Sequence, residues 1–223
     1  MFNMTNITLL QQELVQDPRY RDSFKGATIY GVAGTNGSGK DLLIDFLVEK
    51  GFFAFNTGDA LRKITKASLG FNGRGGNESP EGRTANAQRR LYPGGMVELG
   101  LITWWSQIAH LPDDLKPRGL VIGSIRGTGE AERLKELGGK LIIVDADVQV
   151  RFQRVMSRQR PDELELTFEK FQHNEDAEMA YGETDPTKFG MAAVIDMGDI
   201  RIENNGSDIE AFKTAVEKLL SIS

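Results

Sequence analysis

The sequence predicts an α/β domain, doubly wound around a five-stranded parallel sheet, from three observations. Short apolar runs bounded by turn residues recur five times, the stretches between them carry helical periodicity, and a glycine-rich turn joins the first run to the first helix. The 223 residues, 39% of them apolar, suffice for one sizeable core, so the expectation is one domain over 1–223 with insertions.

The predicted strands are Ala27 to Val32, Phe52 to Phe55, Leu120 to Ile122, Leu141 to Val144, and a short run around Ile200 to Ile202. Continuous apolar runs of this length suit strands buried on both faces. Helices fill the gaps. Residues 41–50, "DLLIDFLVEK", put Leu43, Phe46 and Leu47 on one face and stop at Gly51; residues 128–138 start at Thr128 and stop at Gly138 in the same way. The last helix carries Ile209, Phe212, Val216, Leu219 and Leu220. A further amphipathic helix, with Leu9, Leu10, Leu14 and Val15, is expected ahead of the core, where it would cover a sheet edge.

One interval is too long for a simple crossover. Residues 56–118 contain a polar, glycine-rich stretch, "GFNGRGGNESPEGR", and then an apolar helical pattern, "MVELGLITWWSQIAHL". They predict an inserted helical region entered through a long loop. Trp104 and Trp105 either pack this region or offer a stacking platform for a base.

Composition excludes several classes of function. A formal net charge of -5 gives no general basic field for nucleic acid or an anionic membrane, so any phosphate must be bound locally. With no cysteine there are no disulfides, thiolate nucleophiles or thiolate-ligated metals. The N-terminus lacks a secretory-signal pattern, and no run approaches the roughly 20 apolar residues of a membrane helix. A soluble, cytoplasmic monomer or homodimer acting on a small molecule is expected. His110 and His173 are isolated in sequence and are read as exposed.

The segment "GVAGTNGSGKDLL" carries the strongest chemical signal. Gly34, Thr35, Asn36, Gly37, Ser38, Gly39 and Lys40 fit G-x-x-x-x-G-K, a Walker A phosphate loop, with a strand before it and a helix after it. Glycines let successive backbone N–H groups turn inward toward phosphate oxygens, the following helix adds its positive end, and Lys40 supplies a point charge. Asp41 stands where a hydroxyl normally follows the lysine. A carboxylate there can still serve magnesium through oxygen, directly or through water, with altered geometry.

Ligands of such sheets bind beyond the carboxyl ends of the strands. After the second strand comes "NTGDALRK", with Thr57, Gly58, Asp59 and Arg62. T-G-D-x-L-R resembles the acceptor segment of adenylate kinases and related nucleoside monophosphate kinases. That resemblance implies that Thr57 and Gly58 lie by the acceptor and that Arg62 binds its phosphate. Asp59 would face the phosphate loop, where it could accept a proton or order magnesium waters; the alternative is a plain helix cap.

After the third strand, "VIGSIRGTGEAERL" is similar to the D-G-x-R segment of the same kinases, with Arg126 matching the phosphate-gripping arginine and Gly123 in place of the aspartate. After the fourth, Arg151, Arg154 and Arg158 recur at helical spacing, with Arg160 beyond. They form either a solvated basic face or, as the resemblance implies, a short lid over 148–185 in which Arg154 and Arg158 meet the transferring phosphoryl group. "DIRIENNGSDIEAF" resembles the ending of dephospho-CoA kinases, so that Asn204, Gly206 and Ser207 would border the donor adenine.

Together these segments predict a P-loop NTPase fold with an inserted helical acceptor-binding region and a short lid. The function they imply is an ATP- and magnesium-dependent kinase acting on a nucleoside or deoxynucleoside monophosphate. Lys40, Asp59, Arg126, Arg154 and Arg158 would be its catalytic residues, and Asp41 and Asp59 its metal ligands. Dephospho-CoA kinase is the alternative, and a non-catalytic ATP-binding regulator is the alternative from another class.

Overall fold

The computed structural model describes residues 24, 26–69, 89, 93–158, 165–179 and 190–222. The expected N-terminal helix, the glycine-rich stretch from Gly70 to Arg83, and Arg160 lie outside the described residues.

Five parallel strands form one sheet in the order β2-β3-β1-β4-β5. They are β1 (Thr28–Ala33), β2 (Phe53–Asn56), β3 (Gly119–Gly123), β4 (Lys140–Asp145) and β5 (Ile200–Glu203). Between and after them run α1 (Lys40–Glu49), α2 (Thr57–Leu69), α3 (Gly95–Ile108), α4 (Thr128–Glu136), α5 (Val148–Ser157), α6 (Phe168–Met179), α7 (Met191–Asp196) and α8 (Ile209–Leu220). Each predicted strand lies within a residue or two of its position in the structure.

The strands are apolar throughout because each faces two helical layers. Ile29 and Ala33 of β1 join Leu120, Ile122, Leu141 and Ile143 under α3, α4 and α7. Tyr30 and Val32 join Val121, Ile142 and Val144 under α1 and α8. Leu43, Phe46 and Leu47, the predicted buried face of α1, are at most 3% exposed. Leu47→Ala at such a site costs about 2–5 kcal/mol.

The helix α3 forms one layer of this core together with α4 and α7. Met96, Val97, Leu101 and Trp104 pack with Phe55 and Ile122, so Trp104 is a core residue, 2% exposed, with its ring 5.5 Å from that of Phe24. Gly51 and Gly138 follow α1 and α4 at φ +86° and +74°, the left-handed conformation that ends a helix cheaply only at glycine.

Two helices lie beside the end of β4. α5 is capped by Asp147, whose carboxylate accepts from the Gln149 amide. α6 packs on α5 through Phe152, whose ring lies 5.3 Å from Phe168 and 5.6 Å from Phe171. No helix among the described residues is long and apolar enough to cross a membrane.

Candidate active site

The central strand β1 delivers its carboxyl end to the middle of the sheet, with the ends of β3 and β4 on either side. The glycine loop turns there from Gly34 to Gly39 and enters α1. Gly37 adopts φ +81°, and a Cβ on it would come within 2.5 Å of the Arg151 carbonyl oxygen. Gly39 adopts φ +95° and caps α1 without a side chain. The loop therefore lies against α5 with no room for larger residues, and the first amides of α1 are not capped by a side chain.

Thr35 and Ser38 are 4% and 0% exposed, and their hydroxyl oxygens have no hydrogen-bond partner among the described residues. Buried hydroxyls are normally paired, so two orphans in one loop mark a place where a ligand oxygen can complete the bonding. Lys40 Nζ donates to the Thr35 carbonyl at 3.2 Å, folding its ammonium back over the loop. Desolvation, with repulsion from Arg126 and then Arg158, lowers the Lys40 pKa to about 8 against the pull of Asp41 and Glu178. An anion would restore the ammonium by supplying the missing counter-charge.

Two arginines reach the loop from α5 and its end. Arg154 Nη1 donates to the Gly37 carbonyl at 3.4 Å and its Nη2 to the Gly206 carbonyl at 2.7 Å; Arg158 Nη1 donates to Asn36 Oδ1 at 3.3 Å. Burial, and then the neighbouring Arg158, lower the Arg154 pKa. Arg151 departs from the single stripe that helical spacing predicts for Arg151, Arg154 and Arg158. The residue is 6% exposed, and its side chain donates from Nε to the Ala146 carbonyl at 2.7 Å and pairs with Glu175 at 2.7 Å. Helical side chains lean toward the N-terminus, so an arginine in the first turn of α5 reaches back past the helix start into the α5–α6 interface.

Asn204 is 6% exposed and donates from Nδ2 to the Ser38 carbonyl at 2.9 Å, a clamp on the loop from the end of β5. Gly206 contributes its carbonyl to Arg154, and Ser207 is exposed. Asp41 is exposed in the first turn of α1.

The ends of β2 and β3 form the other half of the site. Asn56 Oδ1 accepts from the amides of Gly58 at 3.0 Å and Asp59 at 3.2 Å, so Asn56 rather than Asp59 caps α2. Asp59 instead pairs with Arg62 one turn on, and both are exposed. The Thr57 hydroxyl is buried and donates to the Ser124 carbonyl at 2.7 Å. Gly123 closes β3 under α1, where a Cβ would lie 2.5 Å from Ile44 Cδ1; a larger residue at this position requires Ile44 to move.

Arg126 lies near Lys40 and pairs through Nη1 with Glu178 of α6 at 3.2 Å. Glu178, Arg89 and Glu130 take part in the site without having been singled out from sequence. Their ion-pair partners lie 41 and 52 residues away, beyond any local spacing. His110 and His173 are exposed, as expected.

Against known proteins, no family model matches the chain. It is 30% identical over 196 residues to a UPF0200 protein of Methanosarcina barkeri, spanning 86% of this chain and 94% of the relative. The chain belongs to the UPF0200 family. A second UPF0200 protein, from Methanosarcina mazei, is 30% identical over 197 residues and shares 86% of this chain and 94% of its own length. Among solved structures, TT1252 from Thermus thermophilus superposes with a TM-score of 0.54 at 20% identity, covering 87% of this chain and 97% of that one. Shikimate kinase from Acinetobacter baumannii superposes at 0.51 with 16% identity, covering 90% and 97%. At these identities the likeness concerns the fold, and this UPF0200 chain has the P-loop kinase fold: a five-stranded parallel sheet with the glycine loop after its central strand.

Proposed function

We propose that the protein is an ATP-dependent phosphotransferase that moves the γ-phosphoryl group to a nucleoside or deoxynucleoside monophosphate. The observation that carries this reading is the glycine loop itself, with two buried unpartnered hydroxyls and with Lys40, Arg126, Arg154 and Arg158 gathered around it. A group of cations around a loop with unmet bonds suits a polyanion. Phosphoryl transfer needs little beyond positioning and charge stabilisation, which these residue types supply.

In this reading the amides from Gly34 to Asp41 hold the donor phosphates and Lys40 neutralises the terminal ones. Arg154 and Arg158 hold the charge that develops on the transferring group. Gly58, Arg62 and Arg126 meet the acceptor above the buried Thr57, and Asp59 accepts its proton once released from Arg62. Asn204 and Gly206 border the donor base.

Among the described residues no group of three or more His, Cys, Asp or Glu could hold a metal ion. That donor set suits magnesium arriving with the nucleotide, since magnesium commonly takes one or two carboxylates together with phosphate oxygens and water. Asp41 and Asp59 are the carboxylates that would serve it, and the ion would supply charge neutralisation on the phosphate oxygens.

The test is ADP release from Mg-ATP against a panel of ribo- and deoxynucleoside monophosphates, with dephospho-CoA and a no-acceptor control. Stimulation by one or a few monophosphates is expected. Stimulation by dephospho-CoA alone would reassign the acceptor, and silence across the panel with ATP still bound would favour an ATP-binding regulator.

A further inference from the structure

Behind the ends of β2 and β3 lies a buried ion pair that the proposed chemistry leaves unused. Arg89 and Glu130 are 4% and 2% exposed. Arg89 Nε donates to Glu130 Oε1 and its Nη2 to Oε2 at 2.5 Å, a two-pronged pairing. Glu130 Oε2 also accepts from the backbone amides of Arg126 at 3.0 Å and Gly127 at 3.3 Å. From the other side, Arg89 Nη2 donates to the Ser124 carbonyl at 2.7 Å and to the Thr57 hydroxyl at 2.9 Å.

All these bonds converge on one short piece of backbone. Ser124 has φ +62°, a left-handed conformation that a residue with a Cβ keeps only where its surroundings hold it. Its carbonyl is held by Thr57 and Arg89, and the next amides but one are held by Glu130. A buried ion pair is a weak source of stability compared with well-packed apolar side chains, so its presence here calls for another role.

We infer that Arg89 and Glu130 are positioning residues: together they fix the backbone of 124–127 and thereby aim the Arg126 guanidinium at the acceptor phosphate. This rests on the phosphotransferase reading above. Arg89 lies between β2 and β3 in sequence, so the pair also joins this residue to the strand end that carries Arg126. The pair acts through Arg126 and does not itself touch substrate.

The test compares wild type, Glu130→Gln, Arg126→Ala and the double variant, using the monophosphate that best stimulates ADP release. Glu130→Gln is expected to raise the acceptor KM by up to about tenfold, no more than the loss of Arg126 itself, while Mg-ATP affinity changes by less than about twofold. In the Arg126→Ala background the same change should have no further effect, because the group it positions is gone. Equal effects in both backgrounds would overturn the inference.

Since removing one partner of a buried pair can prevent folding, Arg89→Met/Glu130→Leu provides a second variant that fills the space with apolar atoms. In either variant the Arg126 and Gly127 amides should exchange with solvent on the order of tenfold faster than in wild type. Exchange at the wild-type rate would equally overturn it. A panel in which no acceptor is phosphorylated would defeat the phosphotransferase reading by itself, and the exchange comparison would still decide the clamp.

Discussion

The two halves of the candidate site treat their arginines differently. On the phosphate-loop side, Arg154 and Arg158 rest on neutral oxygens, the carbonyls of Gly37 and Gly206 and the side chain of Asn36. On the side of β2 and β3, each arginine faces a carboxylate: Arg62 with Asp59, Arg89 with Glu130, Arg126 with Glu178. The loop side has a standing deficit of negative charge, which an incoming anion relieves. The other side is balanced without a ligand, so an acceptor phosphate would have to displace a carboxylate to be gripped. In the proposed reaction, donor binding would then be strong, and acceptor binding weaker and dependent on exchange of partners.

The largest test of this contrast is Lys40→Ala. Among the described residues its side chain makes one hydrogen bond, to the Thr35 carbonyl, so the variant should melt like wild type while phosphoryl transfer falls at least a thousandfold. Turnover within tenfold of wild type would remove the loop from the chemistry. Arg154→Ala and Arg158→Ala come next, each lowering kcat by about a hundredfold or more with a smaller change in ATP affinity, read from steady-state kinetics and calorimetry.

On the balanced side, Arg62→Ala and Arg126→Ala should raise the acceptor KM by about tenfold, the value of one charge-assisted bond, and leave ATP binding nearly unchanged. If both raised only the ATP requirement, the donor and acceptor halves would have to be exchanged.

A proton sharpens the same comparison. Lys40 has a pKa lowered to about 8, and an anion at the loop would raise it. Below pH 8 the ammonium is already formed and binding exchanges little. Above it, nucleotide binding takes up a proton, so affinity falls with rising pH by at most about tenfold per unit until the pKa of the complex is reached. Calorimetry at pH 7 and pH 9 in buffers of different ionisation enthalpy should show the uptake only at the higher pH, and Lys40→Ala should abolish it. The smallest effect expected is a several-fold rise in the magnesium needed for half-maximal rate in Asp41→Asn, one oxygen contact being the change.

The loop and the sheet were legible because their signals are local. Gly34 to Lys40 fixes its own backbone geometry, and the strand runs and helix stops at Gly51 and Gly138 depend on neighbouring residues alone. The strand order β2-β3-β1-β4-β5 was not legible in that way, because pairing joins residues far apart in sequence. The same distance hid Glu130 from Arg89 and Glu178 from Arg126. Arg151 shows a subtler limit. Helical spacing puts it on one stripe with Arg154 and Arg158, but its place in the first turn lets its side chain fold back to Ala146 and Glu175. Gly123 was legible as a departure from the kinase pattern, but the close approach of Ile44 Cδ1 to it was not.

The most direct test follows the γ-phosphoryl group itself. Wild-type protein is incubated with γ-labelled Mg-ATP and the monophosphate panel, and the products are separated. The account predicts label in an acceptor diphosphate at a rate that requires the acceptor. Label that stayed in ATP despite saturated binding, or appeared only as inorganic phosphate whatever acceptor was present, would contradict it.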